Sequence, residues 1–316
     1  MGSTPITNTP YDDVFRTLLN DCTSLIIPMI NEIFGEDYSG TEKIIFSPNE
    51  HFLNQQDGDE QERITDTCFI ILGKQSKKYH LECQSSADNS MLIRFFEYDT
   101  QIALDQGEIS GGVLTVTFPH SAVLFLRCNA STPDKMKIRM ITPGGIIEYD
   151  ILAMKSQRYT LTEIFEKKLL FLIPFYIFSH EKQFDEYERD DSKLANLQKE
   201  YAGIKEKLED LSRQEAITEY TRCTIIDMSN KVLEHIAEKY RSVTKGVKSV
   251  MGGKVLEYEA KNIRNEGLKQ GLEQGLEQGI QGTVSILKNL NLSPQIILAK
   301  IQEQYHLSPE ASKKYL

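Results

Sequence analysis

Residues 63–73 (RITDTCFIILG) and 78–84 (KYHLECQ) are two strand-like runs separated by the polar residues 74–77, the pattern of a β-hairpin around a turn that follows Gly73. No other stretch constrains the fold as strongly. If the second run folds straight back on the first, a turn centred near Lys74 pairs Ile70 with Lys78, Cys68 with His80 and Asp66 with Glu82. Directly opposed residues share a sheet face, with Cβ atoms roughly 4.5–5.5 Å apart, and opposed like charges repel. Two facing carboxylates therefore call for a cation between them. Gln84 follows Glu82 by two residues and shares its face, while Tyr79, Leu81 and Cys83 take the other face. Mg²⁺ suits such a cluster, because it takes one or two carboxylates, carbonyl oxygens, waters and phosphate oxygens. The alternative is that Asp66 and Glu82 are ordinary solvent-facing strand residues, which a single β-bulge would unpair.

Three stretches carry a family resemblance: Ile64-Thr65-Asp66, then 79–85 (YHLECQS), then 91–99 (MLIRFFEYD). In order and spacing they resemble the PD-(D/E)XK nuclease family transposases, the group that includes the recombination-promoting nucleases of bacteria. The similarity extends to 11–15 (YDDVF), 165–169 (FEKKL) and 172–176 (LIPFY), and so covers roughly the first 180 residues. It implies an α/β fold, a mixed sheet flanked by helices, and a metal-dependent DNA endonuclease activity. By the resemblance Asp66 is the motif's Asp, Glu82 its Asp/Glu, and Gln84 stands where the superfamily usually has Lys. Asp66, Glu82 and the Cys83 carbonyl are then the expected ligands of Mg²⁺ or Mn²⁺, with Asp13 as a further acidic group and Gln84 orienting the attacking water. Glutamine carries no charge, so any electrostatic role of the usual Lys falls to the cation or another group. Arg94 and Tyr98, four apart on one helix face, are candidates for substrate binding: Arg94 to meet phosphate or lock Glu82 with Tyr98 packing beside it, the alternative being an Arg94 solvated on the helix rim. The rival readings are a nuclease-fold binding or assembly module without catalysis, and RNA cleavage by the same site.

The charge distribution bears on the partner. Residues 1–150 hold 11 Lys/Arg against 22 Asp/Glu, a balance of −11. Sequence-independent DNA affinity comes from Lys and Arg neutralising phosphates, so weak binding is expected without a divalent cation. Cys22, Cys68, Cys83, Cys128 and Cys223 form neither a CxxC pair nor a disulfide framework, which fits a reducing cytoplasm. The first residues, MGSTPI, lack the basic and apolar regions of an export signal, and Ile6 stands where a myristoylation motif needs Ser or Thr. The longest apolar run, residues 169–177, is about half the roughly 20 residues a membrane helix needs and contains Pro174. It reads as core.

In chain order, Val14-Phe15, Leu18-Leu19, Cys22 and Leu25-Ile26 have amphipathic helical spacing, capped by Asp12 or Asp13 and kinked or broken at Pro28 before ending at Gly35. Residues 43–46 read as a strand, 54–60 as a polar loop without the glutamate of a calcium-binding loop, and 91–105 as a helix. Residues 121–126 read as a buried strand, and 136–141 with 146–151 as a second hairpin. Thr160 and Glu163 form a capping box with Tyr159 and Ile164 as its staple. His80, on the Glu82 face, reads as a satisfied histidine at the rim.

The nuclease-like domain is expected over 1–183, a heptad-containing helical region over 184–262, and a Gly-x-x-x repeat with terminal helices over 263–316. Leu194, Leu197, Tyr201, Ile204, Leu208 and Leu211 recur at heptad spacing, to pack on another helix of this chain or on a second copy. Gly267, Gly271, Gly275 and Gly279 recur every four residues, either as a flexible linker or as a helical stripe on which another helix can lie closely. A homo-oligomer built through these C-terminal helices is the expected assembly.

Overall fold

The computed structural model describes residues 10–46, 50–54, 60–64, 67–86, 90–252, 277, 279–284, 286–288, 292–305 and 312–315, with backbone alone for 50–54, 60–64, 303 and 313. By contacts the chain divides into two compact units, Met1–Leu256 and Glu257–Leu316.

In the first unit a six-stranded mixed sheet runs in the order β1-β4-β5-β8-β10-β9, where β1 is Lys43–Phe46, β4 Thr67–Leu72, β5 Lys77–Gln84, β8 His120–Phe125, β9 Lys135–Thr142 and β10 Gly145–Lys155. The expected hairpin is its centre. β4 and β5 pair antiparallel with Ile70 opposite Lys78, Cys68 opposite His80 and Thr67 opposite Leu81, the mirror about residue 74 that the sequence implies. β5, β8 and β10 are parallel neighbours, and β9 and β1 are antiparallel edges. Parallel strands need a crossover, and β5 reaches β8 through the helix α3, Met91–Leu104. One difference from expectation lies at 63–73. Its described parts join different sheets: β3 (Glu60–Ile64) pairs with β2 (Glu50–Asn54) in a separate two-stranded sheet, while β4 (Thr67–Leu72) pairs with β1 and β5, and residues 65–66 lie outside the described residues. A further ribbon, β6 (Glu108–Ser110) with β7 (Val113–Thr115), follows α3.

Alternation along β5 divides the core. Tyr79, Leu81 and Cys83 join Phe69, Ala122 and Leu124 on one face, under α1 (Pro10–Asp21) and α2 (Ile26–Phe34). On the other face Met91 and Phe95 of α3 cover Val123, Phe125, Ile138 and Ile151. Val14, Phe15, Leu18 and Leu19 of α1 are buried, so the 3–4 spacing of the sequence is the spacing of burial. Full burial of such side chains contributes about 1.5–3 kcal/mol each. The break in this region does not fall at Pro28. α1 ends at Asp21 and a short 3₁₀ turn, Thr23–Leu25, leads into α2, with Pro28 inside its first turn. There the backbone N–H has no helical acceptor in any case, so proline costs nothing. Gly35 closes α2 at φ +67°, a left-handed conformation open to glycine.

After β10, Thr160 and Glu163 make the expected reciprocal capping box at the start of α4, Leu161–Glu166. The apolar run becomes a 3₁₀ segment, Leu170–Gln183, with Leu170 to Phe175 buried. Beyond a short α5 (Phe184–Arg189) come α6 (Asp191–Arg213), α7 (Glu219–Ile236) and α8 (Arg241–Met251), which share the core of the sheet's first face. Leu194, Leu197, Tyr201, Ile204 and Leu208 are buried within that core, so the heptad seam is covered by this chain itself. α7 lies on α1, where the Tyr220 hydroxyl donates to Asp21 at 2.9 Å.

In the second unit Ile280 and Val284 pack with Ile297 and Ile301 of the helix Pro294–Tyr305, which begins where Ser293-Pro294 predicts. Tyr305 donates to the Gly279 carbonyl at 2.9 Å, with its ring against the space a Cβ would fill. The ring's distance from that space is ordinary van der Waals contact and does not test the close-approach stripe; Gly267, Gly271 and Gly275, and the expected turn at Ser308-Pro309, lie outside the described residues. Among the described residues no helix is long and apolar enough to cross a membrane.

Candidate functional site

Glu82 is 5% exposed on β5, on the face that α3 covers. Two residues earlier on the same face is His80, which is fully buried. Its Nε2 lies 3.0 Å from Glu82 Oε1 and its Nδ1 2.7 Å from Oδ1 of Asp99, itself fully buried on α3. Ser121 of β8 donates to the same Asp99 oxygen at 2.7 Å, and the Tyr149 hydroxyl of β10 donates to the other at 3.1 Å. Four elements thus converge on one buried polar chain running from Tyr149 and Ser121 through Asp99 and His80 to Glu82.

The electrostatics follow from that geometry. Burial alone would strip His80 of its proton, but its hydrogen bonds to Asp99 and Glu82, with the charges of both, override the penalty and push it up to about 10. Both ring nitrogens are then donors, and the ring has no lone pair for a metal ion. Burial, with the neighbouring Asp99, likewise pushes the Tyr149 hydroxyl well up, so it stays a donor. The imidazole packs against Phe95 at 5.1 Å and edge-on to Tyr98 at 6.0 Å between ring centroids. His80 is therefore the centre of the network, correcting the expectation of a rim histidine.

Of the residues singled out in the sequence, Glu82, Cys83 and Gln84 come together at the end of β5. Cys83 is buried on the opposite face, and Gln84 is half-buried where the strand ends. The Gln84 carbonyl accepts from Leu126 N at 2.9 Å, on the β8 side. Carbonyls alternate along an extended strand, so that of Cys83 is directed to the β4 side. Asp66 lies outside the described residues, as do the side chains of 60–64. Asp13 is exposed near the start of α1, 3.3 Å from Lys231 of α7, and α1 covers the face opposite Glu82. Arg94 is half-buried on α3, and Tyr98 is buried one turn later against His80. Among the described residues no group of three or more His, Cys, Asp and Glu side chains is arranged to hold a metal ion.

Sequence reasoning missed Asp99, Ser121 and Tyr149. For Asp99 a signal existed: it falls on the apolar stripe of α3 with Phe95, Tyr98 and Ile102, where a carboxylate needs buried partners. Ser121 and Tyr149 meet Asp99 only because β8 and β10 are neighbours, which local spacing does not encode.

The buried cluster holds the carboxylates of Glu82 and Asp99 on either side of the His80 ring, with Glu82 Oε1 bonded to Nε2 and Asp99 Oδ1 to Nδ1. No family model, curated protein or solved structure matches this chain.

Proposed function

We propose that this chain is a divalent-cation-dependent endonuclease that hydrolyses phosphodiester bonds in DNA, of the PD-(D/E)XK type that its sequence resembles. The observation that carries the reading is the β4–β5 hairpin. Its strands follow the mirror about residue 74 as far as Thr67 opposite Leu81, the register on which a pairing of Asp66 with Glu82 rests. Glu82 and Asp66, with the Cys83 carbonyl, would hold Mg²⁺ or Mn²⁺. When bound, the cation supplies Lewis acidity toward phosphate and a water that is a usable nucleophile near neutral pH. Gln84 orients that water through its amide, and Arg94 meets substrate phosphate. Asp13 is the weakest member of the set, because its partner is Lys231.

A second reading is favoured by one observation: the Glu82 oxygen nearest His80 is already occupied by a buried ion pair. In that reading Glu82 is structural and the chain is a nuclease-fold binding or assembly module. Incubating purified protein with supercoiled plasmid and, separately, with RNA, in Mg²⁺, Mn²⁺ or EDTA, separates the two. The endonuclease reading predicts nicking of plasmid that EDTA, Asp66→Ala and Glu82→Ala each abolish and that Gln84→Ala reduces. Equal cleavage by wild type and Asp66→Ala would assign it to a contaminant; cleavage of RNA alone would replace the substrate and keep the site.

A further inference from the structure

We infer that the outward face of α8 is a docking surface for the phosphate backbone of DNA, engaged through Lys239, Arg241 and Lys245. DNA as the partner rests on the proposed activity; the surface itself needs neither Glu82 nor a metal ion.

The sequence concentrates positive charge at this helix. Residues 239–256 contain Lys239, Arg241, Lys245, Lys248 and Lys254 and no Asp or Glu, in a chain whose net charge is −10. Of α1 to α8, α8 alone carries cations without a carboxylate, whereas α6 sets five against five. Packing then turns the charge outward. Val243, Val247 and Met251 are buried in the core, and a Cβ on Gly246 would meet Gln198 Nε2 at 3.0 Å and Leu194 Cδ1 at 3.1 Å, so α8 lies tightly on α6. Arg241 and Lys245, one turn apart, and Lys239 just before the helix are exposed, and none of the three has a hydrogen bond or ion pair with another described residue. Two neighbouring carboxylates are already engaged, Glu234 with Lys248 and Glu188 with the N–H groups of Ser242 and Val243. Glu238 stands beside Lys239, which leaves the three cations in surplus. At about 1.5 Å of rise per residue, Arg241 to Lys248 spans roughly 10 Å, about three steps of 3.4 Å along one DNA strand. Such a stripe attracts phosphate while the acidic balance of residues 1–150 repels it, and the two together orient the duplex. An anionic membrane also draws cations, but a surface helix enters lipid by its apolar face, and that of α8 is spent in the core.

Binding of a short fluorescein-labelled DNA duplex to the full chain, read by anisotropy in EDTA across a salt series, tests this without reference to cleavage. Wild type is expected to give a slope of log K against log salt of about −2.7, the value for three neutralised phosphates. Arg241→Ala and Lys245→Ala should each make the slope shallower by about one and weaken binding alike on duplexes of different sequence. Arg241→Glu combined with Lys245→Glu should weaken it by at least about 10-fold. These side chains are exposed, so melting curves by circular dichroism should match wild type. Lys199→Ala, at an exposed position of the charge-balanced α6, should leave affinity unchanged; an equal loss there would mean that net charge alone decides, and overturns the surface. Absence of binding by wild type, or wild-type affinity and slope in both alanine variants, overturns it as well. Binding to phosphatidylserine vesicles that the same variants lose, without binding to DNA, overturns the nucleic-acid partner. The endonuclease reading fails separately: protein that cleaves nothing in Mg²⁺ or Mn²⁺ but loses DNA on substitution in α8 keeps the inference, and protein that nicks plasmid while both alanine variants bind as wild type does loses the inference alone.

Discussion

Asp99 sits where a helix would normally place leucine or methionine, and its burial is tolerable because three donors surround it. Removing one partner of such a buried pair leaves the other uncompensated. Asp99→Ala is therefore expected to destabilise the fold by about 3–5 kcal/mol, measured by urea titration near neutral pH. A change below about 1 kcal/mol would show that His80 readily finds another partner. Cys22 offers a pH-dependent counterpart on the other side of the sheet. Burial raises its thiol to about 11, against a smaller opposing effect of the Thr224 and Thr221 hydroxyls. The folded state keeps a proton that the unfolded thiol has lost. This contribution to stability is full below the ordinary thiol value of about 9 and falls away as pH rises through about 11. Urea titrations of wild type and Cys22→Ala at pH 8 and pH 10.5 should show the steeper loss in wild type; parallel losses would count against it. At this scale the sequence marks Glu82 and the neighbouring positions by alternation, but it marks no partner supplied by a distant strand.

Elements were legible wherever one local rule decided them. The hairpin register follows from the symmetry of two runs about Lys74, and β9 with β10 from the turn at Pro143-Gly144-Gly145. The capping box at Thr160 needs only residues 160 and 163. Thr160→Ala should cost about 1 kcal/mol in thermal or urea unfolding, and no change would mean that α4 is held by packing alone. Where two rules competed, the reading failed. Pro28 signals a break, but proline is equally at home in the first turn of a helix, and tertiary packing placed the break at Cys22. The run 63–73 has unbroken strand propensity, yet β3 and β4 pair with different neighbours. Propensity says that a residue is extended and is silent about which edge it joins.

At the scale of the whole molecule, the change of composition near residue 183 marks a change in secondary structure, while the core continues through it. α7 covers α1, and the α6 seam is buried in the same cluster as β5. A chain truncated after Gln183 is thus expected to be insoluble or to melt without cooperativity by circular dichroism, because Val14, Phe15 and the 3₁₀ segment lose part of their cover; a cooperative melt near that of the full chain would contradict this. Leu208→Ala should cost about 2–5 kcal/mol for the same reason, read by urea titration. Self-association, if it occurs, has to use surfaces other than the α6 seam. What the folded molecule is proposed to do in total is bring a divalent cation to the end of its central hairpin, and a crystal of wild-type protein soaked in Mn²⁺ locates it directly. The prediction is an anomalous difference peak within coordination distance of the Glu82 carboxylate and the Cys83 carbonyl, lost in Glu82→Gln; a peak only elsewhere, or none at saturating Mn²⁺, would contradict it.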